Sequence, residues 1–186
     1  MPILRSRHQA ELLTWFSLHP GEEYTLGDMV LRLRISPSTL HAEVERLTTA
    51  GIVTDRYVGR TRLLRANTAS RLAQPLTELL TLSFGPPVVV AEEFDDVAGV
   101  EQVDLYGLWA ARYEGVVGKE PADVDVMVVG KPDREDIYAA ADRCQRRLGL
   151  DVNTTVRTAK AWRDATDSLV ITVRDGPTSW SSRTAG

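Results

Sequence analysis

Few conformations suit the run VDVMVVG at residues 124–130. Side chains alternate between the faces of a strand, so Val124, Val126 and Val128 share one face while Met127 and Val129 take the other. Both faces are then apolar, and the run reads as a strand buried on both sides. At its mouth stand Asp123 and Asp125, two apart and therefore on one face. Like charges side by side cost stability, so either a cation sits between them or the strand end is open to water.

The segments around this strand alternate in type. VEQVDLYG (100–107) suits a short strand, LWAARYEG (108–115) a helical turn or two, and LDVNTTVRT (150–158) another strand. DREDIYAAADRCQRRLG (133–149) predicts an amphipathic helix capped near Asp133, closed by Gly149, with Ile137, Ala140, Ala141, Cys144 and Leu148 inward. AKAWRDA begins a helix, SLVITVRDGP fits either a strand or the tail of a helix, and TSWSSRTAG reads as a loose terminus.

The first half has a helical rhythm. SRHQAELLTWFSLHP predicts a helix over 6–18 that stops before Pro20, and a second helix starts on Thr25 as a cap. In SPSTLHAEVERLTTAGIV, Ser36 is the N-cap, Pro37 takes the first helical position and Gly51 supplies the stop. Leu40, Val44 and Leu47 form its buried edge, leaving Ser38, Thr39, His41, Glu43, Glu45 and Arg46 outward. GIVTDRYVGRTRLLRAN alternates about Gly59 and predicts a hairpin with its tip near 58–61. SRLAQPLTELLTLSF is helical but holds Pro75, where it kinks or restarts. GPP at 85–87 then breaks the pattern. The expected organisation is α+β, with domains at 1–85 and 86–175, the second carrying a small mixed sheet, and a flexible tail at 176–186. No internal repeat is present.

Charge separates the halves. Residues 1–85 hold 10 arginines, no lysine and 8 acidic residues, a net +2; residues 86–186 hold 12 basic and 18 acidic residues, a net −6. The total of −4 argues against a general polyanion binder while leaving room for a local basic face, with Arg56, Arg60, Arg62 and Arg65 inside ten residues. The longest apolar stretches fall far short of the roughly 20 residues that span a bilayer, so no membrane association and a cytoplasmic location are expected. Cys144 is the only cysteine and reads as a small buried hydrophobe. His8, His19 and His41 lack a metal-ligand spacing.

Helix, short turn, helix and then an arginine-rich hairpin, with the ending LTTAGIV, resembles the winged helix-turn-helix of ArsR-type and MarR-type regulators over residues 6–84. That resemblance implies binding to double-stranded DNA. Ser36, Ser38, Thr39 and His41 would meet phosphates or base edges, and Arg56, Arg60 and Arg62 would flank the backbone. It also implies a homodimer through the first helix and the helix carrying Leu72, Leu76, Leu79, Leu80 and Leu82.

A strand, a glycine turn, a short helix, a loop and then Asp-x-Asp on a strand resembles the minimal nucleotidyltransferases of the DNA polymerase β-like superfamily over residues 88–163. Gly107 matches the family glycine, Ala110 and Gly115 a following small-residue element, and Asp123 and Asp125 the metal-binding pair. The family serine is replaced here by Leu108, followed by Trp109. The resemblance implies catalytic Asp123, Asp125 and a third residue of the later strand, either Asp151 or Asn153. It further implies Mg²⁺ and a nucleoside triphosphate as cofactors, with Gly107, Leu108 and Lys119 toward the phosphates.

These features support a DNA-binding transcription regulator with an appended nucleotidyltransferase-like domain that holds a metal or nucleotide, or keeps a vestigial site. Two alternatives stand beside it: an active transferase acting on a protein, RNA or small molecule, and the antitoxin of a pair, with a toxin as its protein partner.

Overall fold

The computed structural model describes residue 4 and residues 6–113, 121–165, 167–176 and 180–183. The chain is mixed α+β and divides into two compact units, Met1–Gly85 and Pro86–Gly186.

The first unit runs α1 (Arg7–Leu18), α2 (Leu26–Leu33), α3 (Pro37–Thr49), β1 (Val53–Val58), β2 (Thr61–Ala66) and α4 (Ala73–Phe84). Each early helix starts on a side-chain oxygen that satisfies a free backbone N–H. Ser6 accepts from the Gln9 amide, Thr25 and Asp28 form a reciprocal capping box, and Ser36 accepts from the Thr39 amide. Between α2 and α3 the chain turns in three residues. Arg34 sits there at φ 52°, a left-handed conformation rare for a side chain of its size, and Ile35 is buried.

α3 stops because Gly51 takes φ 68°. The hairpin pairs Val53 with Ala66 through Val58 with Thr61, leaving Gly59 and Arg60 as a two-residue loop. Gly59 at φ 61° meets the need of such loops for a left-handed first residue. Tyr24 and Leu64 exchange backbone hydrogen bonds of 2.9 and 2.8 Å, tying the hairpin to the link between α1 and α2. The core gathers Leu12, Met29, Leu40, Val44 and Leu64, all fully enclosed. Each contributes about 1.5–3 kcal/mol by leaving water.

α4 begins two residues before Pro75, so the proline falls in the first turn, where its missing N–H costs nothing. Leu80 is buried and Leu76 packs on the core, whereas Leu72, Leu79 and Leu82 stay exposed. Glu43, expected to face outward, is buried at 7% exposure. Its 2.5 Å bond from Arg46 supplies the opposite charge that makes this tolerable.

The second unit runs α5 (Pro86–Phe94), β3 (Val100–Tyr106), α6 (Gly107–Tyr113), β4 (Asp123–Gly130), α7 (Arg134–Leu148), β5 (Asp151–Arg157), α8 (Ala159–Asp164), α9 (Ser168–Asp175) and β6 (Trp180–Arg183). Its sheet has the order β5-β4-β3-β6. β4 pairs in parallel with β5, while β3 is antiparallel to both β4 and β6. The parallel pair requires a crossover, and α7 supplies it, with Asp133 at its start and Gly149 at φ 70° at its end. Val124, Val126, Met127, Val128 and Val129 are all buried. Met127 and Val129 pack with Val173 of α9, and Tyr106 and Trp162 lie against the same cluster.

Two stretches depart from the sequence reading. Residues 180–183, within the expected loose tail, pair with Gln102 to Leu105 as β6. The outer edge of β3 otherwise presents unpaired N–H and C=O groups, and pairing satisfies them. The PPVVVA run, where only a break had been read, opens α5, its prolines occupying the first turn. For SLVITVRD the open choice is settled as helix: Asp167 caps the Val170 amide at 2.8 Å, and Val170 and Val173 bury one stripe. No described helix is long and apolar enough to cross a membrane.

Candidate functional site

Two sets of residues carry chemistry, one in each unit. In the first, α3 is anchored by Leu40, Val44 and Leu47, which turns Ser38, Thr39 and His41 to solvent. The Ser36 hydroxyl is occupied: it accepts from the Thr39 amide at 3.2 Å and bonds the Thr39 hydroxyl at 2.8 Å. Ser36, Ser38 and Thr39 thus form a cluster of exposed hydroxyls at the helix start, with the Ser38 hydroxyl 3.3 Å from that of Ser36. His41 places Nε2 4.0 Å from Glu45 on the next turn.

The hairpin arginines divide by partner. Arg56 is gripped by Glu23 through two bonds of 2.7 and 2.6 Å. That hydrogen bonding holds the Glu23 carboxyl below its ordinary value and raises the guanidinium. Arg62 is only 16% exposed and bridges Glu45 of α3 and Asp55 of β1. It fastens the hairpin to the helix, a structural role that its place in the sequence did not reveal. Arg60, at the hairpin tip, is exposed and makes no ion pair among the described residues. Tyr57 and Val58 beside it are exposed as well. Glu23 and Asp55 were not singled out in the sequence, and Glu45 only as an outward position of α3, because their arginine partners lie 33, 7 and 17 residues away.

In the second unit, the register of β4 and β5 sets Asp123 opposite Asp151 and Asp125 opposite Asn153. The two aspartates share a face, and Asn153 is the residue that reaches them. Its amide nitrogen donates to Asp123 Oδ2 at 2.9 Å and to Asp125 Oδ1 at 3.3 Å. Burial pushes the Asp125 carboxyl above its ordinary value; the Asn153 hydrogen bond opposes this and the charge on Asp123 adds to it. Asp151 stays exposed, and no group of three or more His, Cys, Asp or Glu side chains placed to hold a metal occurs among the described residues.

Gly107 lies against the same carboxylates. It adopts φ 75°, and a Cβ there would stand 2.6 Å from Asp125 Oδ2. A side chain there would be strained by the left-handed backbone and would require the Asp125 carboxylate to shift. Leu108, in the place of a serine hydroxyl, is 58% exposed. The Trp109 indole nitrogen is buried without a hydrogen-bond partner among the described residues, and the Tyr106 hydroxyl lies 3.4 Å from that of Thr155. Gly115 and Lys119 fall outside the described residues.

Neither a protein-family model, nor a curated protein, nor a solved structure matches this chain.

Proposed function

We propose that the chain is a DNA-binding transcription regulator, with a winged helix-turn-helix over residues 1–85 and an appended nucleotidyltransferase-like domain. The observation that carries this reading is α3: a fully buried back of Leu40 and Val44, an outward start of Ser38, Thr39 and His41, and a hairpin that follows at once. A helix so held presents short hydroxyls and an imidazole to a major groove, and the hairpin lies along the flanking phosphates. Arg60 at the tip and Arg65 are the exposed hairpin arginines left to a phosphate, because Arg56 and Arg62 are engaged by carboxylates.

So few free cations make one copy a weak binder, so the reading includes a homodimer on two half-sites. The exposed Leu79 and Leu82 of α4, with Leu72 just before it, support it by offering apolar surface for a second copy.

Fluorescence anisotropy of the full chain, on duplex from its own promoter and on scrambled duplex, tests the proposal. Thr39→Ala combined with His41→Ala is expected to erase most of the preference for promoter DNA. Arg60→Ala is expected to weaken both duplexes alike and to lower the salt slope by about 1. Affinities unchanged by the α3 substitutions in a folded protein would defeat the reading.

A further inference from the structure

Asp-x-Asp on a strand invites a divalent cation, and Mg²⁺ asks for oxygen ligands in a near-octahedral array. The lone pairs that face each other here already have a partner. Asn153 directs one amide nitrogen at both carboxylates, 2.9 Å from Asp123 Oδ2 and 3.3 Å from Asp125 Oδ1. An amide nitrogen carries two hydrogens, so one serves each aspartate. The opposite orientation of the amide would press its carbonyl oxygen against two anionic oxygens, so the donor orientation is the one the charges select.

We infer that Asn153 stands in for the cation at this strand end: its amide closes the Asp123/Asp125 pair, so the wild-type rim holds no divalent metal. The residues present do not fit Mg²⁺, since the strand neighbour that reaches the pair is a donor, and Asp151, although opposite Asp123, completes no group of three carboxylates placed to hold a metal among the described residues. Asn153 therefore acts as a positioning residue. It tethers the first turn of β4 to β5 and offsets the repulsion between the two aspartates without a full positive charge. One substitution changes this. Asn153→Asp removes the donor, sets a carboxylate within reach of both Asp123 and Asp125, and is expected to create a site for a hard divalent ion. The inference concerns the second unit alone and stands or falls apart from DNA binding.

Mn²⁺ binding to the full chain, followed by electron paramagnetic resonance, decides it. The wild type is expected to show no saturable binding through the low millimolar range. Asn153→Asp is expected to bind on the order of tenfold or more tighter, and to lose that binding when Asp125→Asn is added. Saturable micromolar binding by the wild type, abolished by Asp125→Asn, overturns the inference. So does a folded Asn153→Asp chain that binds no better than wild type. A second readout needs only the wild type: the side-chain amide resonances of Asn153 should stay in place as Mg²⁺ is added. Their displacement at low millimolar Mg²⁺ would mean that the ion competes for the carboxylates.

Discussion

Glu93 shows how one half-buried charge can be made to hold two helices. From α5 it receives Arg143 Nε at 2.6 Å and an Arg147 nitrogen at 2.7 Å, both from α7, while its backbone oxygen accepts a second Arg143 nitrogen at 3.0 Å. Burial alone would raise its carboxyl, but the hydrogen bonds from Arg147 and Arg143 outweigh that and set it below the ordinary glutamate value. A carboxyl lowered in the folded state stabilises fully above its unfolded value, and the contribution is lost as pH falls through the folded one. Glu93→Gln is therefore expected to cost about 1–3 kcal/mol at neutral pH. The difference from wild type should close as denaturation is repeated at successively lower pH. A gap that persists unchanged in acid would show that packing, not charge, is what the substitution disturbs. Nearby, burial first and the charge of Glu93 second push the Cys144 thiol up to about 12, which keeps it protonated and inert at neutral pH.

At the scale of elements, local signals were readable and long-range pairing was not. Thr25, Ser36, Pro37, Gly51, Asp133 and Gly149 announced helix ends correctly, because a cap is made by a residue and its neighbours within three or four positions. β6 was hidden, since what makes it a strand is β3, far away in the chain. α5 was hidden for the opposite reason: prolines and branched valines speak against helix locally, and packing overrides them. Around the aspartates, alternation told that Asp123 and Asp125 share a face, but only the parallel register decided that Asn153, rather than Asp151, reaches them. The turn into α6 is equally strict. Gly107→Ala forces a left-handed conformation on a side-chain-bearing residue and drives the Asp125 carboxylate off its bond to Asn153. A loss of about 1–3 kcal/mol in urea denaturation of the full chain is expected. A midpoint indistinguishable from wild type would mean that the carboxylate moves aside freely.

Among the described residues the two units bury separate sets of side chains, Leu12, Met29, Leu40 and Leu64 in the first and, in the second, Met127, Val129 and Val173 on one face of the sheet with Val124, Val126 and Val128 buried on the other. A chain so divided is expected to unfold in two steps, and a single midpoint would not describe it. Calorimetry should resolve two transitions, with Trp15 reporting the first unit by fluorescence and Trp162 the second. One peak whose calorimetric and van't Hoff enthalpies agree would contradict this. Charge reinforces the division, since the +2 unit carries the α3 face and the −6 unit repels polyanions. Finally, β6 works as a hem on the fabric of the sheet. Unpicked, it would bare a border of seven residues along β3 in place of the four that β6 itself presents, and a longer border is easier to stitch to another molecule's strand.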